Sequence, residues 1–169
     1  LGSNVTQLYR GAQVLRGFDE EVRNFISAEM TKAGVDLRLG ADVAEITKQA
    51  DGSLNVRMAD GSHQVFDAVL YATGRSPNVK GLGLEALEVK QGPQGAIDVD
   101  ENYQTSVPHV YAVGDVTARI QLTPVALGEA MALVDHLMGP APGKSARTMD
   151  YDFIPTAVFT HPNIGTVGF

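Results

Sequence analysis

The order of apolar and polar positions marks out the elements of this chain. Val5 to Tyr9 reads as a strand, and the stretch "TQLYRGAQVLRGFD" then carries two arginines six residues apart, Arg10 and Arg16. From Asp19 the apolar positions recur at Val22, Phe25, Ile26, Met30 and Ala33, the spacing of one helix face. Asp19, Glu20 and Glu21 stand at its start, where the helix dipole favours negative charge, and Gly34 is a suitable stop. Val35, Leu37 and Leu39 alternate with polar residues and predict another strand.

Beyond Val43 the texture changes. Asp51-Gly52 and Asp60-Gly61 each separate strand-like runs, and Asp-Gly is a favoured hairpin pair, so 43–66 predicts a three-stranded antiparallel meander. Ala68 to Ala72 is a continuous apolar run of the kind buried in a parallel sheet. Asn78 to Gly95 is irregular and glycine-rich, and Ala96 to Val99 predicts a short strand. "HVYAVGD" predicts a second buried strand ending at Gly114-Asp115. Thr123-Pro124 reads as a helix cap and first turn, with the helix running to about Met138 and stopping at Gly139-Pro140. "GPAPGKSAR" has linker composition, and 149–169 begins something new. There is no solenoid repeat, but an apolar strand followed by "ATGR" at 72–75 is echoed by one followed by "AVGD" at 112–115.

A length of 169 residues, 44% of them hydrophobic and 20% charged, suits one globular domain or parts of two. The net charge of −7 argues against a general nucleic-acid or anionic-membrane binder. No long apolar span or signal peptide is present, so the expected location is cytoplasmic, away from membranes. With no cysteine, these residues hold no disulfide, thiolate metal site or cysteine nucleophile.

The chemistry lies at strand ends. In a dinucleotide-binding βαβ unit, an acidic residue after the second strand binds the ribose of NAD, whereas arginine accommodates the 2′-phosphate of NADP. If Val5–Tyr9 is that strand, Arg10 follows it, and Arg16 precedes the next helix. Guanidinium matches phosphate with a planar fork of donors. Taken alone, both arginines read as solvated surface residues, since exposed arginines are common. Asp115, at the end of a buried strand, either bonds a ligand hydroxyl or caps a turn. The helix start at Thr123 offers free N–H groups to negative charge, such as develops on a reduced flavin. His161 receives no chemical role.

Four stretches, "LYRGAQVLRGFDEEVR", "YATGRSPN", "VYAVGDVTARIQLTPVA" and "DYDFIPTAVFTHPNIGTVGF", together resemble the NADPH-dependent, FAD-containing disulfide reductases, and within them the glutathione reductase branch. The resemblance covers nearly the whole chain in the expected order. It implies an α/β fold: part of a two-dinucleotide-binding-domain (Rossmann-like) flavoprotein with three-stranded antiparallel meanders. Residues 1–75 correspond to the later part of an NADPH-binding domain, 76–148 to the returning part of an FAD-binding domain, and 149–169 to the start of a dimer-interface domain.

By position, Arg10 and Arg16 match holders of the NADPH 2′-phosphate, and Gly74 and Arg75 line its nicotinamide half. Gly114 and Asp115 match the turn that binds the FAD ribityl chain, while Leu122 and Thr123 meet the isoalloxazine through their backbone. Gln121 falls near the nicotinamide and Phe159 near the flavin. The implied reaction is reduction of glutathione disulfide by NADPH through FAD and a redox-active disulfide, in a homodimer. Both Gly-rich turns, the redox cysteine pair and the catalytic His-Glu pair are missing from the stretch. It is therefore expected to be an internal piece of a longer enzyme, inactive alone, with no catalytic residue and no metal site of its own. Related reductases of other substrates, trypanothione among them, and a non-catalytic nucleotide-binding module are the competing readings. An acidic residue in place of Arg10 would suit lipoamide dehydrogenase better.

Overall fold

The computed structural model describes residues 2–168. Its contacts divide the chain into two compact units, Leu1–Ala72 with Thr156–Thr166, and Thr73–Pro155 with Val167–Phe169.

The first unit opens with β1 (Thr6–Tyr9), crosses over through α1 (Glu20–Lys32) and returns in β2 (Asp36–Leu39), which pairs parallel to β1 with Thr6 opposite Asp36. The predicted start and stop signals operate. Asp19 is the N-cap, its carboxylate accepting the Glu21 and Val22 N–H groups at 2.9 and 3.2 Å. Such a cap contributes about 1 kcal/mol. The helix ends at Ala33, with Gly34 at positive φ just beyond. The predicted apolar face is only partly used: Ile26 is fully buried, but Phe25 is exposed.

The meander forms as predicted, from β3 (Val43–Lys48), β4 (Leu54–Met58) and β5 (His63–Phe66) in that order. Its two turns share one tetrapeptide, Ala-Asp-Gly-Ser, at 50–53 and 59–62. In each, the aspartate Oδ1 accepts the serine N–H and hydroxyl, the latter at 2.7 Å in both. The serine hydroxyl beside each aspartate holds both carboxyls below the ordinary range. Alternate β4 residues Val56 and Met58 are buried, as the period of a strand requires. A small hairpin, β6 (Thr156–Val158) with β7 (Ile164–Thr166), completes the unit.

The second unit is built on irregular chain around Leu84, Val89, Ile97 and Ala112, with Val79, Val99, Val107, Val110 and Val116 packed against them. A 3-10 turn at Gly114–Thr117 leads to α2 (Thr123–Met138), which stops at Gly139 as predicted.

Three predicted strands are corrected. Residues 68–72 form no strand, and Leu70 and Tyr71 are 90% and 64% exposed. Residues 96–99 and 109–113 make single bridges, Gln91 with Ile97 and Gln104 with Tyr111. A continuous apolar run expresses a demand for burial, but a strand also needs a backbone partner along its edge. Among the described residues β1 and β2 pair only with each other, and the backbone of 109–113 bonds only to the turn at 103–107. Among the described residues no helix is long and apolar enough to cross a membrane.

Candidate functional site

The segment after β1 is a pinned loop. Arg23 of α1 donates to the Val14 carbonyl at 2.7 Å and the Gln13 carbonyl at 2.9 Å. The Gln13 amide reaches Asn24 at 2.7 Å, and its oxygen accepts from the Ser27 hydroxyl. Val14 is buried beneath this frame, and Leu15 is held at φ 53°, a left-handed conformation costly for a branched side chain. Local backbone strain of this kind persists only where surroundings over-determine it.

Arg10 and Arg16 stand on this loop, both exposed. Every other arginine is engaged: Arg23 with carbonyls, Arg38 with Asp36, Arg57 with Glu45, Arg75 with Asp115, Arg119 with the Val99 and Asp100 carbonyls, and Arg147 with Asp135. Arg10 and Arg16 make no ion pair or side-chain hydrogen bond among the described residues. Two unpartnered guanidinium groups on a fixed frame, in a chain of net charge −7, suit an anionic ligand.

In the second unit the turn at Gly114 gathers several of the sequence-selected residues. Gly114 has φ +74°, and a Cβ there would lie 3.1 Å from the Ala126 Cβ, so glycine lets the turn sit tightly on the first part of α2. Asp115 follows, its side chain 44% exposed, 3.3 Å from the Arg75 Nε. Exposed pairs of this kind contribute about 0–1 kcal/mol, so Asp115 is available to other donors. Gly74, before Arg75, has φ +126° with open space around it.

The predicted cap of α2 is corrected by one residue. Leu122 is the N-cap, with extended backbone and no side chain able to cap, and Thr123 is the first helical residue. The Leu122 carbonyl accepts the Ala126 N–H at 3.0 Å, while Pro124 has no N–H. The first turn thus carries no side-chain cap at its positive end. Gln121 is exposed beside it. Phe159, in the first unit, follows β6 and is 86% exposed. The half-exposed Asp115 carboxylate and the start of α2, left uncapped by any side chain, offer an acceptor for hydroxyls and N–H groups for negative charge.

Sequence reasoning missed Glu129. It is 1% exposed within α2, and its two carboxylate oxygens accept the Gly114 N–H at 2.6 Å and the Tyr151 hydroxyl at 2.7 Å. Burial, reinforced by the neighbouring Glu129 and Tyr103, pushes the Tyr151 hydroxyl far above its ordinary value, so it stays a donor. The only available signal was a lone acid between buried positions Val125 and Ala132.

The family model for pyridine nucleotide-disulphide oxidoreductases matches residues 1–130. The chain is 49% identical to a glutathione reductase of Burkholderia cepacia over 168 residues, covering 99% of the chain and 36% of that protein. It is 47% identical to the chloroplastic/mitochondrial glutathione reductase of Pisum sativum, covering 99% and 30%, and 39% identical to a trypanothione reductase of Trypanosoma congolense, covering 99% and 33%. Among solved structures, the HOCl-induced flavoprotein disulfide reductase of Escherichia coli superposes with a TM-score of 0.88 at 29% identity, over 99% of this chain and 38% of that one. The chain spans about a third of the length of the curated relatives it matches.

Proposed function

We propose, since this chain belongs to the pyridine nucleotide-disulphide oxidoreductase family, that it works within an NADPH-dependent flavoprotein that reduces glutathione disulfide. The observation that carries the reading is the pair Arg10 and Arg16, unpartnered on a loop whose other contacts fix it. They take the 2′-phosphate of NADPH, where a cofactor lacking that phosphate gives them nothing to bind. Gly74, Arg75 and Gln121 serve the nicotinamide half. Gly114, Asp115, Leu122, Thr123 and Phe159 serve FAD, with Asp115 accepting from ribityl hydroxyls and the N-terminal end of α2 favouring negative charge on the ring. Bound FAD supplies a two-electron relay between the nicotinamide and a disulfide. The chain's own residues bind and orient; the disulfide that receives the electrons lies outside these 169 residues, which hold no cysteine.

Residues 1–75 then belong to the NADPH-binding domain, 76–148 to the FAD-binding domain and 149–169 to an interface domain of a cytoplasmic homodimer. Support for glutathione disulfide over trypanothione is the higher identity to reductases named for glutathione, 49% and 47% against 39%. Purified full-length protein tests this by NADPH oxidation with each disulfide in turn. Turnover with glutathione disulfide at a kcat/KM at least about tenfold above that with trypanothione disulfide is expected, a margin of about 1.4 kcal/mol. The reverse ratio transfers the assignment to trypanothione, and no turnover with either removes it.

A further inference from the structure

We propose that Glu129 is a positioning residue for flavin binding: its buried carboxylate fixes the backbone turn from which Asp115 meets the ribityl chain. The inference rests on the reading of Asp115 given above.

An acid inside a helix-packing surface is costly unless its oxygens are satisfied. Among the described residues Glu129 has no cation partner. Its two acceptors go to one backbone N–H, that of Gly114, and one hydroxyl, that of Tyr151. Gly114 is clamped from the other side as well, because its carbonyl accepts the Thr117 hydroxyl at 2.9 Å. Gly114, the residue that leads into Asp115, is therefore held at both its N–H and its C=O, while among the described residues the half-exposed Asp115 side chain has only the Arg75 ion pair. A rigid backbone beneath an available carboxylate is what a positioned ligand requires.

Glu129 is itself braced from behind. The Tyr151 hydroxyl accepts from Arg119 at 3.2 Å, and the Arg119 guanidinium lies 5.6 and 5.5 Å from the ring centres of Tyr103 and Tyr151. The same guanidinium donates to the Val99 and Asp100 carbonyls at 3.1 and 2.8 Å. A continuous series of contacts thus runs from Arg119 through Tyr151 and Glu129 to Gly114 and Asp115. A residue needed for packing alone would be apolar here, like its neighbours Val125 and Ala132 on the same face.

The test uses full-length protein stripped of flavin and titrated with FAD, read by flavin fluorescence and visible absorbance, with the melting temperature of each apoprotein measured alongside. Glu129→Ala should weaken FAD binding about tenfold or more, the loss of a charge-assisted hydrogen bond. Glu129→Gln keeps an acceptor for the Gly114 N–H and a donor for the Tyr151 oxygen, so it should stay within about threefold of wild type. In an Asp115→Ala background, Glu129→Ala should add nothing, because no carboxylate remains to be oriented. A full further loss in that background means that Glu129 acts through the fold alone and overturns the inference. Weakening by Asp115→Ala with none by Glu129→Ala overturns it while sparing the reading of Asp115. No weakening by Asp115→Ala removes that reading and the inference with it. If Glu129→Ala fails to fold, Tyr151→Phe replaces it in the cycle, with a loss of about threefold expected; no loss, or the same loss in the Asp115→Ala background, overturns the proposal.

Discussion

Arg10 and Arg16 differ from the other arginines in having nothing to hold among the described residues, and the sequence did not show this difference. Their place after a strand was legible, because β1 ends where the apolar run ends. That their loop is anchored by Arg23 and Gln13 was not, since those contacts join residues about ten apart that show no pattern in the sequence. Glu129 was illegible for a related reason: polarity in a helix predicts exposure, and only the facing Gly114 and Tyr151 reverse it. At this scale the expected outcome concerns cofactor choice. Each charge-assisted bond to phosphate contributes about 1.5–3 kcal/mol. The Arg10→Ala, Arg16→Ala double variant of the full-length protein should therefore lose on the order of 10²-fold in its NADPH over NADH preference, read from kcat/KM with each nucleotide. An unmoved ratio would place the phosphate elsewhere.

Among the elements, helices were the most legible and the continuous apolar runs the least. Caps and stop residues are local, so α1 and α2 were bounded closely from Asp19, Gly34, Pro124 and Gly139. The runs at 68–72 and 109–113 looked like strands because apolarity is local, whereas the partner strand is not. The linker after α2 held a further surprise. Arg147 reaches back to Asp135 with its backbone N–H at 3.0 Å and its guanidinium at 2.7 and 2.6 Å, tying the supposedly free segment to the helix. Arg147's side-chain hydrogen bonds, aided by its backbone N–H, hold the Asp135 carboxyl down to about 2 from an ordinary 3.8. A depressed carboxyl contributes stability that is present above the unfolded value and fades as pH falls through the folded one. Wild-type protein should accordingly be more stable than Asp135→Asn at pH 6, with the gap closing between about pH 4 and pH 2. Urea unfolding across that range measures it, and a gap independent of pH would show that the carboxyl charge is not the cause.

For the whole molecule, the α/β class and the meander were readable, but the grouping of Thr156–Thr166 with the chain's first 72 residues was not. Nothing local to the β6–β7 hairpin marks that association. Large apolar side chains also remain exposed: Leu70 and Tyr71 after the meander, and Leu127, Val134 and Met138 along α2. The meander stands apart from these because its turns close upon themselves. Each Ala-Asp-Gly-Ser turn is satisfied by its own aspartate and serine, with glycine taking φ +91° and +87° where a side chain would be strained. Its ladders therefore close short loops, whereas the β1–β2 pairing must bring together residues thirty apart. Time of formation should follow this difference, with the antiparallel sheet appearing early on the folding route and the parallel pair waiting for the crossover. Pulsed hydrogen exchange during refolding of the full-length protein would then protect the Thr47 and Val56 amides before those of Gln7 and Arg38. Simultaneous protection would mean that both sheets form in one step, with the turns guiding no part of the sequence of events.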